Sequence, residues 1–375
     1  MVNTFLSSEQ VQYQSTCQAF VDEKLCSQGI IKDLETSKEK QKEALSLISQ
    51  SGLIGTSLPH EYGGGGKTFV YAAILAEQLG MKDAGLSLVL ANHLSACHLI
   101  WRYGTDEQKS RYLPLLSRGE SFATLAFGEE QAGSDFSLVQ TSAESNKLNG
   151  KKAWVVNGDT AHVALVLARS SEQNQIWIVD LTSKSGVSVV KDRQKLGLKS
   201  ASTTDIEFSS YALDEKSALC QAPEKVEEAI EYALSLSKVL LAAGALGICE
   251  QAIKYSVQRA NQREQFGQTI GKFQAIQWKL ADMSTETSAA RLLTYRAAWS
   301  KDDAKDEFFK FAAMCKLFAA RVARLYSGEA AQIYGTLGIS EEEPMEKLYR
   351  DAKVIEVLEG TQEIQKNIVA SQVGA

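Results

Sequence analysis

The sequence predicts an α+β multidomain protein: a helical N-terminal domain, a middle antiparallel β domain of barrel-like kind, and a C-terminal four-helix bundle. Three observations carry this. Apolar residues recur at helical spacing from Val21 to Tyr103; short β-branched segments separated by turn residues begin near Ser121; long helical stripes return from about Glu224. The domains are therefore expected at residues 1–120, 121–223 and 224–375. A chain of 375 residues suits two or three domains at ~150 residues each.

In order along the chain, Val21 to Leu53 places Lys, Glu, Leu and Ile at helical spacing, and Ala72–Leu79 and Leu86–Tyr103 read as apolar helices. Leu58-Pro59-His60-Glu61-Tyr62 and Gly63 to Gly66 ahead of them must form a loop. Strands are expected at Phe122–Phe127, Leu138–Glu144, Lys152–Val156, His162–Ala168, Ile176–Val179, Val187–Val190 and Thr204–Phe208. Asn149-Gly150 and Asn157-Gly158 are read as hairpin turns between them. Leu236, Val239, Leu240, Ala243 and Leu246 form one helical stripe, with Gly244 and Gly247 permitting a close helix crossing. Further stripes start at Phe273, Ile276, Leu280 and Met283, and at Phe308, Phe311, Ala312, Cys315 and Phe318. Near the C-terminus a helix carrying Leu348 and Ile355 breaks at Gly360, and a second helix carrying Ile364 and Ile368 follows with Thr361 as its N-cap.

Composition removes several classes of function. Hydrophobic residues make up 44% and charged residues 23%, values of an ordinary globular protein. The net charge of −6, without a long basic run, argues against a nucleic-acid partner. No uncharged apolar run reaches about 18 residues, so no membrane span is expected. The start Met1-Val2-Asn3-Thr4-Phe5 turns polar at once and does not read as a secretory signal. Six widely spaced cysteines without a CxxC pair suggest free thiols and a cytoplasmic location. No residues have zinc-ligand spacing, so no metal is expected.

Gly63-Gly64-Gly65-Gly66-Lys67-Thr68 is not a phosphate loop, since Glu61 stands where that pattern needs glycine. There is no GxGxxG for a dinucleotide fold and no G-x-S-x-G elbow. His93 and His98, among apolar neighbours, read as packing residues. In Phe127-Gly128-Glu129-Glu130-Gln131-Ala132-Gly133-Ser134-Asp135, small residues and a hydroxyl allow backbone N–H groups to approach a ligand, although the same run also makes a common turn. Trp154 on a strand end is either core or a platform for a planar cofactor. Arg263-Glu264-Gln265-Phe266-Gly267, between two long helices, is either an anion-binding loop or a solvated one. Glu359 stands at a helix end, where a carboxylate can point into a cavity as a base or lie on the surface of a helix–helix corner.

Seven motifs in order resemble the acyl-CoA dehydrogenase family over nearly the whole chain: Leu58 to Gly64, Ala132-Gly133-Ser134-Asp135, Gly150-Lys151-Lys152-Ala153-Trp154, Lys195 to Ser200, Arg263 to Gln274, Gln332-Ile333-Tyr334-Gly335 and Glu359-Gly360-Thr361. The resemblance implies FAD bound between the β domain and the bundle. It also implies oxidation of an acyl-CoA or other acyl thioester across its α and β carbons, a glutamate taking the α proton while hydride passes to flavin N5. By position Glu359 is that base, and its N–H with a ribityl hydroxyl would polarise the thioester. Leu125, Phe127, Gly128 and Ser134 would line flavin and substrate, and Trp154 and Val156 would pack along the flavin ring. Arg263, Phe266 and Gln274, with Gln332 and Gly335, would meet the FAD of a neighbouring subunit, and Thr361 and Glu363 would touch FAD beside the base. Ser134, Ser235, Lys238 and Gly360 would meet substrate. A homo-oligomer, a dimer of dimers, and an electron-transfer flavoprotein as acceptor are further implications.

The chain departs from the family at several of these positions. Val156 and Gly128 stand where threonines are usual, Lys238 replaces an arginine, and Leu358 replaces a tyrosine. Ser237 falls where other members carry the base. The alternatives are a flavin oxidase or monooxygenase, a carrier-protein-linked acyl dehydrogenase, and a flavin-poor scaffold of the same fold.

Overall fold

A computed structural model of the chain describes residues 5–171, 173–183, 185–220, 223–303 and 307–374. Helix α1 (Ser8–Phe20) opens on a capping box between Ser7 and Gln10 and continues as a π-helical turn, Val21–Cys26. The helical stretch expected from Val21 to Leu53 is broken twice. Gly29 adopts φ 71 before the short α2 (Ile30–Asp33), and Ser37 caps α3 (Lys38–Gln50) by accepting from the Lys40 N–H. Helices α4 (Phe69–Gly80) and α5 (Ala84–Tyr103) extend the expected apolar pair, and every residue of α4 is buried. The sequence reading missed α6 (Asp106–Ser117), which opens on a Thr105–Gln108 capping box.

The middle region is a seven-stranded sheet: β1 (Ala123–Ala126), β2 (Ser142–Glu144), β3 (Lys147–Val156), β4 (Val163–Ser170), β5 (Gln173–Asp180), β6 (Val187–Asp192) and β7 (Thr203–Ala212). Its order is β1-β4-β2-β3-β7-β6, with β5 on the other edge of β4. Three expectations are corrected. The sheet is mixed and open rather than an antiparallel barrel, because β1 and β2 both run parallel to β4. Asn149-Gly150 lies inside β3; the β2–β3 turn falls on Ser145 and Asn146, both at positive φ. Asn157 does turn the chain, at φ 52, but β3 and β4 are not hairpin partners.

The C-terminal region is helical: α7 (Val226–Gln262), α8 (Gln274–Asp302), α9 (Phe308–Tyr334), α10 (Met345–Val357) and α11 (Gln362–Gln372), with the small hairpin β8 (Glu264–Gln265) and β9 (Gln268–Thr269) after α7. Helix α7 lies directly on α4. A Cβ at Gly247 would sit 2.4 Å from the Glu77 carbonyl oxygen, so only glycine permits this crossing. Helices α5 and α7 are long and apolar enough by composition to cross a membrane, but 94% of each apolar window is buried within the fold. They are core helices, and they replace the expectation that no such run exists.

Candidate functional site

Helix α10 ends at Val357, and Leu358 leaves it with ψ 156. Glu359 and Gly360 then take φ 53 and 90 before α11 begins. Thr361 holds the N-cap position, yet its side chain makes no capping hydrogen bond, contrary to the expectation. The turn is fastened from outside. Lys316 of α9 donates to the carbonyls of Glu356 at 3.1 Å and Gly360 at 2.6 Å. Gln365 donates to the carbonyls of Glu359 at 2.9 Å and Gly360 at 3.1 Å.

Glu359 as a residue is partly buried, but its carboxyl lies among side chains of three other helices: Ser237 and Lys238 of α7, Lys316 of α9 and Asn92 of α5. Burial raises its pKa above the usual carboxylate range; Lys238 first, then Ser237, Lys316 and Asn92, oppose that rise. Burial likewise lowers the Lys238 pKa, with the charge of Glu359 the largest opposing influence, and brings Lys316 down to about 8. A desolvated carboxyl whose pKa is moved toward neutrality is suited to accept a proton. Asn92 also ties α5 to the sheet, its Oδ1 accepting from the Leu125 N–H at 3.2 Å.

The segments around Leu125–Gly128 and Ala153–Val156 come together. The Ala153 N–H donates to the Gly128 carbonyl at 3.0 Å, and the Thr124 hydroxyl donates to the Val156 carbonyl at 2.7 Å. Leu125, Phe127 and Val156 are buried. Trp154 is not core: it sits at φ 59 in a bulge of β3, the residue 47% exposed with its ring beneath Arg193 at 5.0 Å. Ser134 is exposed on its loop. Ser235 and Lys238 are buried on α7, and the hydroxyls of Ser235 and Ser237 lack a close hydrogen-bond partner. Thr361 and Glu363 line a cleft of about 320 Å³ with Arg324, Lys353, Glu356 and Gln362.

Five predicted residues do not join this group. Arg263, Phe266, Gln274, Gln332 and Gly335 are exposed, Phe266 at 93%. Arg263 follows Lys238 by 25 positions along and just past α7, roughly 37 Å at the helical rise. Arg263 therefore lies far from the Glu359 carboxyl, which sits beside Lys238. The sequence reading missed Asn92 and Lys316. Lys316 is the charged residue among the buried positions of α9, and Asn92 a buried amide beside His93 on α5, which was the available signal. His93 and His98 pack as expected, His93 accepting from the Ala123 N–H at 3.1 Å and His98 facing the Ser57 hydroxyl at 3.1 Å. The larger cavity, about 890 Å³ between α3, α6 and the sheet, contains none of the predicted residues.

A helix-end carboxyl set among α5, α7 and α9, with Asn92 tying α5 to the sheet, sits where the three regions of the chain meet. The chain belongs to the acyl-CoA dehydrogenase family. The family's N-terminal, middle and C-terminal domains match residues 7–120, 124–211 and 228–374. Acryloyl-CoA reductase (NADH) of Anaerotignum propionicum is 33% identical over 98% of this chain and 95% of its own. Butyryl-CoA dehydrogenase of Megasphaera elsdenii superposes with TM-score 0.92 at 30% identity, covering 99% of this chain and 100% of that one. An acyl-CoA dehydrogenase of Bacillus anthracis complexed with FAD superposes with TM-score 0.92 at 28% identity, covering 100% of this chain and 68% of that one.

FAD is the cofactor of this family, and the chain's residues fit it. Trp154 offers an exposed ring, and a Cβ at Gly128 would find its nearest neighbour at 3.6 Å. Across the β3–β7 ladder from Val156 stands Thr203, whose buried hydroxyl has no partner. Among the described residues no group of three or more His, Cys, Asp or Glu side chains is placed to hold a metal ion.

Proposed function

We propose that the chain removes hydrogen across the α and β carbons of an acyl-CoA thioester, with Glu359 as the base. The observation that carries this reading is the Glu359 carboxyl, buried among Ser237, Lys238, Lys316 and Asn92 with its pKa raised. In its deprotonated form Glu359 takes the α proton, and Lys238 and Lys316 steady the anion beforehand. The Glu359 N–H polarises the thioester carbonyl and so acidifies the α carbon. Ser134, Ser235, Lys238 and Gly360 meet the substrate. FAD, when bound, would supply the two-electron acceptor for the β hydrogen. Leu125, Phe127, Gly128, Ser134, Trp154, Val156, Thr361 and Glu363 would hold it within one chain, and Arg263, Phe266, Gln274, Gln332 and Gly335 would hold that of a second copy. The same proposal includes the domain boundaries 1–120, 121–223 and 224–375, and an electron-transfer flavoprotein as acceptor.

A homo-oligomer, a dimer of dimers, is supported by large apolar side chains left exposed on the bundle: Phe266, Trp278, Leu292, Leu325 and Ile339. A cytoplasmic location is supported by six free cysteines.

The test is the visible spectrum of the purified protein followed by anaerobic titration with acyl-CoAs of graded length. A bound flavin bleached by one length supports the reading and names the substrate. A flavin that no acyl-CoA bleaches overturns it, and titration with carrier-linked acyl groups, or reduction of an enoyl-CoA, then decides between the other readings.

A further inference from the structure

Lys316 is the charged residue within the buried stripe of α9, and its side chain is fully buried. A buried ammonium is unfavourable unless it meets strong acceptors. The nearby Glu356 carboxylate is already engaged by Arg324 at 2.9 Å and Lys353 at 2.6 Å. Lys316 instead donates to two backbone carbonyls, those of Glu356 and Gly360. The Glu356 carbonyl belongs to the last turn of α10, where carbonyls lack helical partners and carry the negative end of the helix dipole. Between the two acceptors stands Glu359, a non-glycine residue in the left-handed region, a conformation that persists only where its surroundings enforce it.

We propose that Lys316 is the positioning residue for the proposed base: by tying the carbonyls on either side of Glu359, it holds the left-handed turn and so fixes where the carboxyl points. The inference rests on the reading of Glu359 as base. Gln365 supplies a second, neutral tie to the Glu359 and Gly360 carbonyls. The charged groups that face Lys316 are Glu359, Lys238, Glu356 and Glu363. Its charge therefore also favours the Glu359 anion, which a purely structural clamp would not do.

The experiment compares the full chain, loaded with FAD, with Lys316→Met, by amide hydrogen exchange and by the pH profile of kcat/KM. Lys316→Met is expected to speed exchange of amides 357–361 at least tenfold while α7 and α9 keep their protection. It should also lower kcat by about 100-fold, leave KM within a few-fold, and move the base limb of the profile to higher pH. Unchanged exchange at 357–361 would overturn the proposal, as would equal loosening of α7 and α9 with the pH limb unmoved. If Lys316→Met does not fold, Lys316→Gln, which keeps one donor, is read by the same two outcomes. Hydrogen exchange is independent of turnover: protection lost at the turn in a chain without any pH limb would separate a failed base assignment from a failed positioning role.

Discussion

Replacing Glu359 by glutamine keeps the side chain's volume and removes its ability to take a proton. A positioned general base contributes about 10²- to 10⁴-fold, so the barrier to flavin reduction should rise by about 3–5 kcal/mol. Stability should change far less. Glutamine leaves Lys238 and Lys316 without their shared negative neighbour, and breaking a buried pair costs about 3–5 kcal/mol when the remaining charge must persist. It need not persist here. The Lys316 pKa already lies at about 8, and shedding its proton at neutral pH takes only about 1.4 kcal/mol. Burial also lowers the Lys238 pKa, so Tm should fall by only a few degrees for a chain of this length. The assay is anaerobic stopped-flow reduction of the flavin by the acyl-CoA identified in the titration, with calorimetry alongside. Reduction within tenfold of the wild-type rate would refute Glu359 as base. A relocation control sharpens the test. The Ser237 hydroxyl is buried and faces the Glu359 carboxyl, while glycine suits φ 53 at position 359. Glu359→Gly with Ser237→Glu should therefore recover at least tenfold over Glu359→Gly alone. Because the reactive form is the anion and burial raises the Glu359 pKa, the wild-type rate should rise with pH through a value above the ordinary carboxylate range and then level off.

Gly247→Ala should lower stability by about 1–3 kcal/mol, since its Cβ would meet backbone atoms of Glu77, Gly80 and Met81 at 2.4 Å; Gly128→Ala, whose nearest neighbour is at 3.6 Å, should leave Tm unchanged in the same calorimetric scan. Restoring hydroxyls with Gly128→Thr and Val156→Thr should tighten FAD roughly 2- to 10-fold each, read by flavin fluorescence titration of the apoprotein. Charging the exposed bundle face with Trp278→Lys and Ile339→Lys should reduce the native mass by sedimentation and lower the bound FAD with it.

The sequence was most legible where one residue type has one physical reason to be there. The Gly244–Gly247 pair announced a helix crossing, and long apolar stripes announced α5, α7 and α9. Capped but weakly apolar helices were harder to see: α6 was legible only through Thr105 and Gln108. Asn149-Gly150 misled because a local turn signal was overridden by pairing, Gly150 lying opposite Phe208 within the ladder. At the proposed site, Glu359 was marked by a helix break, a local feature. Lys316 and Asn92 reach it from α9 and α5, and contacts between elements distant in sequence leave no local trace beyond a polar residue in an apolar run.

The position of Glu359 follows from packing between all three regions. Helix α10 is held near its middle by Asp351, which accepts from the Leu198 N–H at 2.6 Å, and by Lys347, which reaches Asp83 at 3.2 Å. Arg350 pairs with Glu35 at 3.0 Å. Gly197 lies so close that a Cβ there would sit 2.5 Å from the Arg350 carbonyl, so the segment after the sheet's sixth strand rests directly on the α10 backbone. Glu359 stands eight positions beyond Asp351, about two helical turns from this anchor. The N-terminal helices and the sheet thus set the axis of α10, while Lys316 and Gln365 set the turn at its end. A substitution at Asp83, Glu35 or Gly197 would tilt the helix and move the carboxyl without touching it, and at a reacting centre a displacement of about 1 Å is worth on the order of 100-fold in rate. On the proposed role of Glu359, the charged cluster around α10 would bear on turnover as well as on stability.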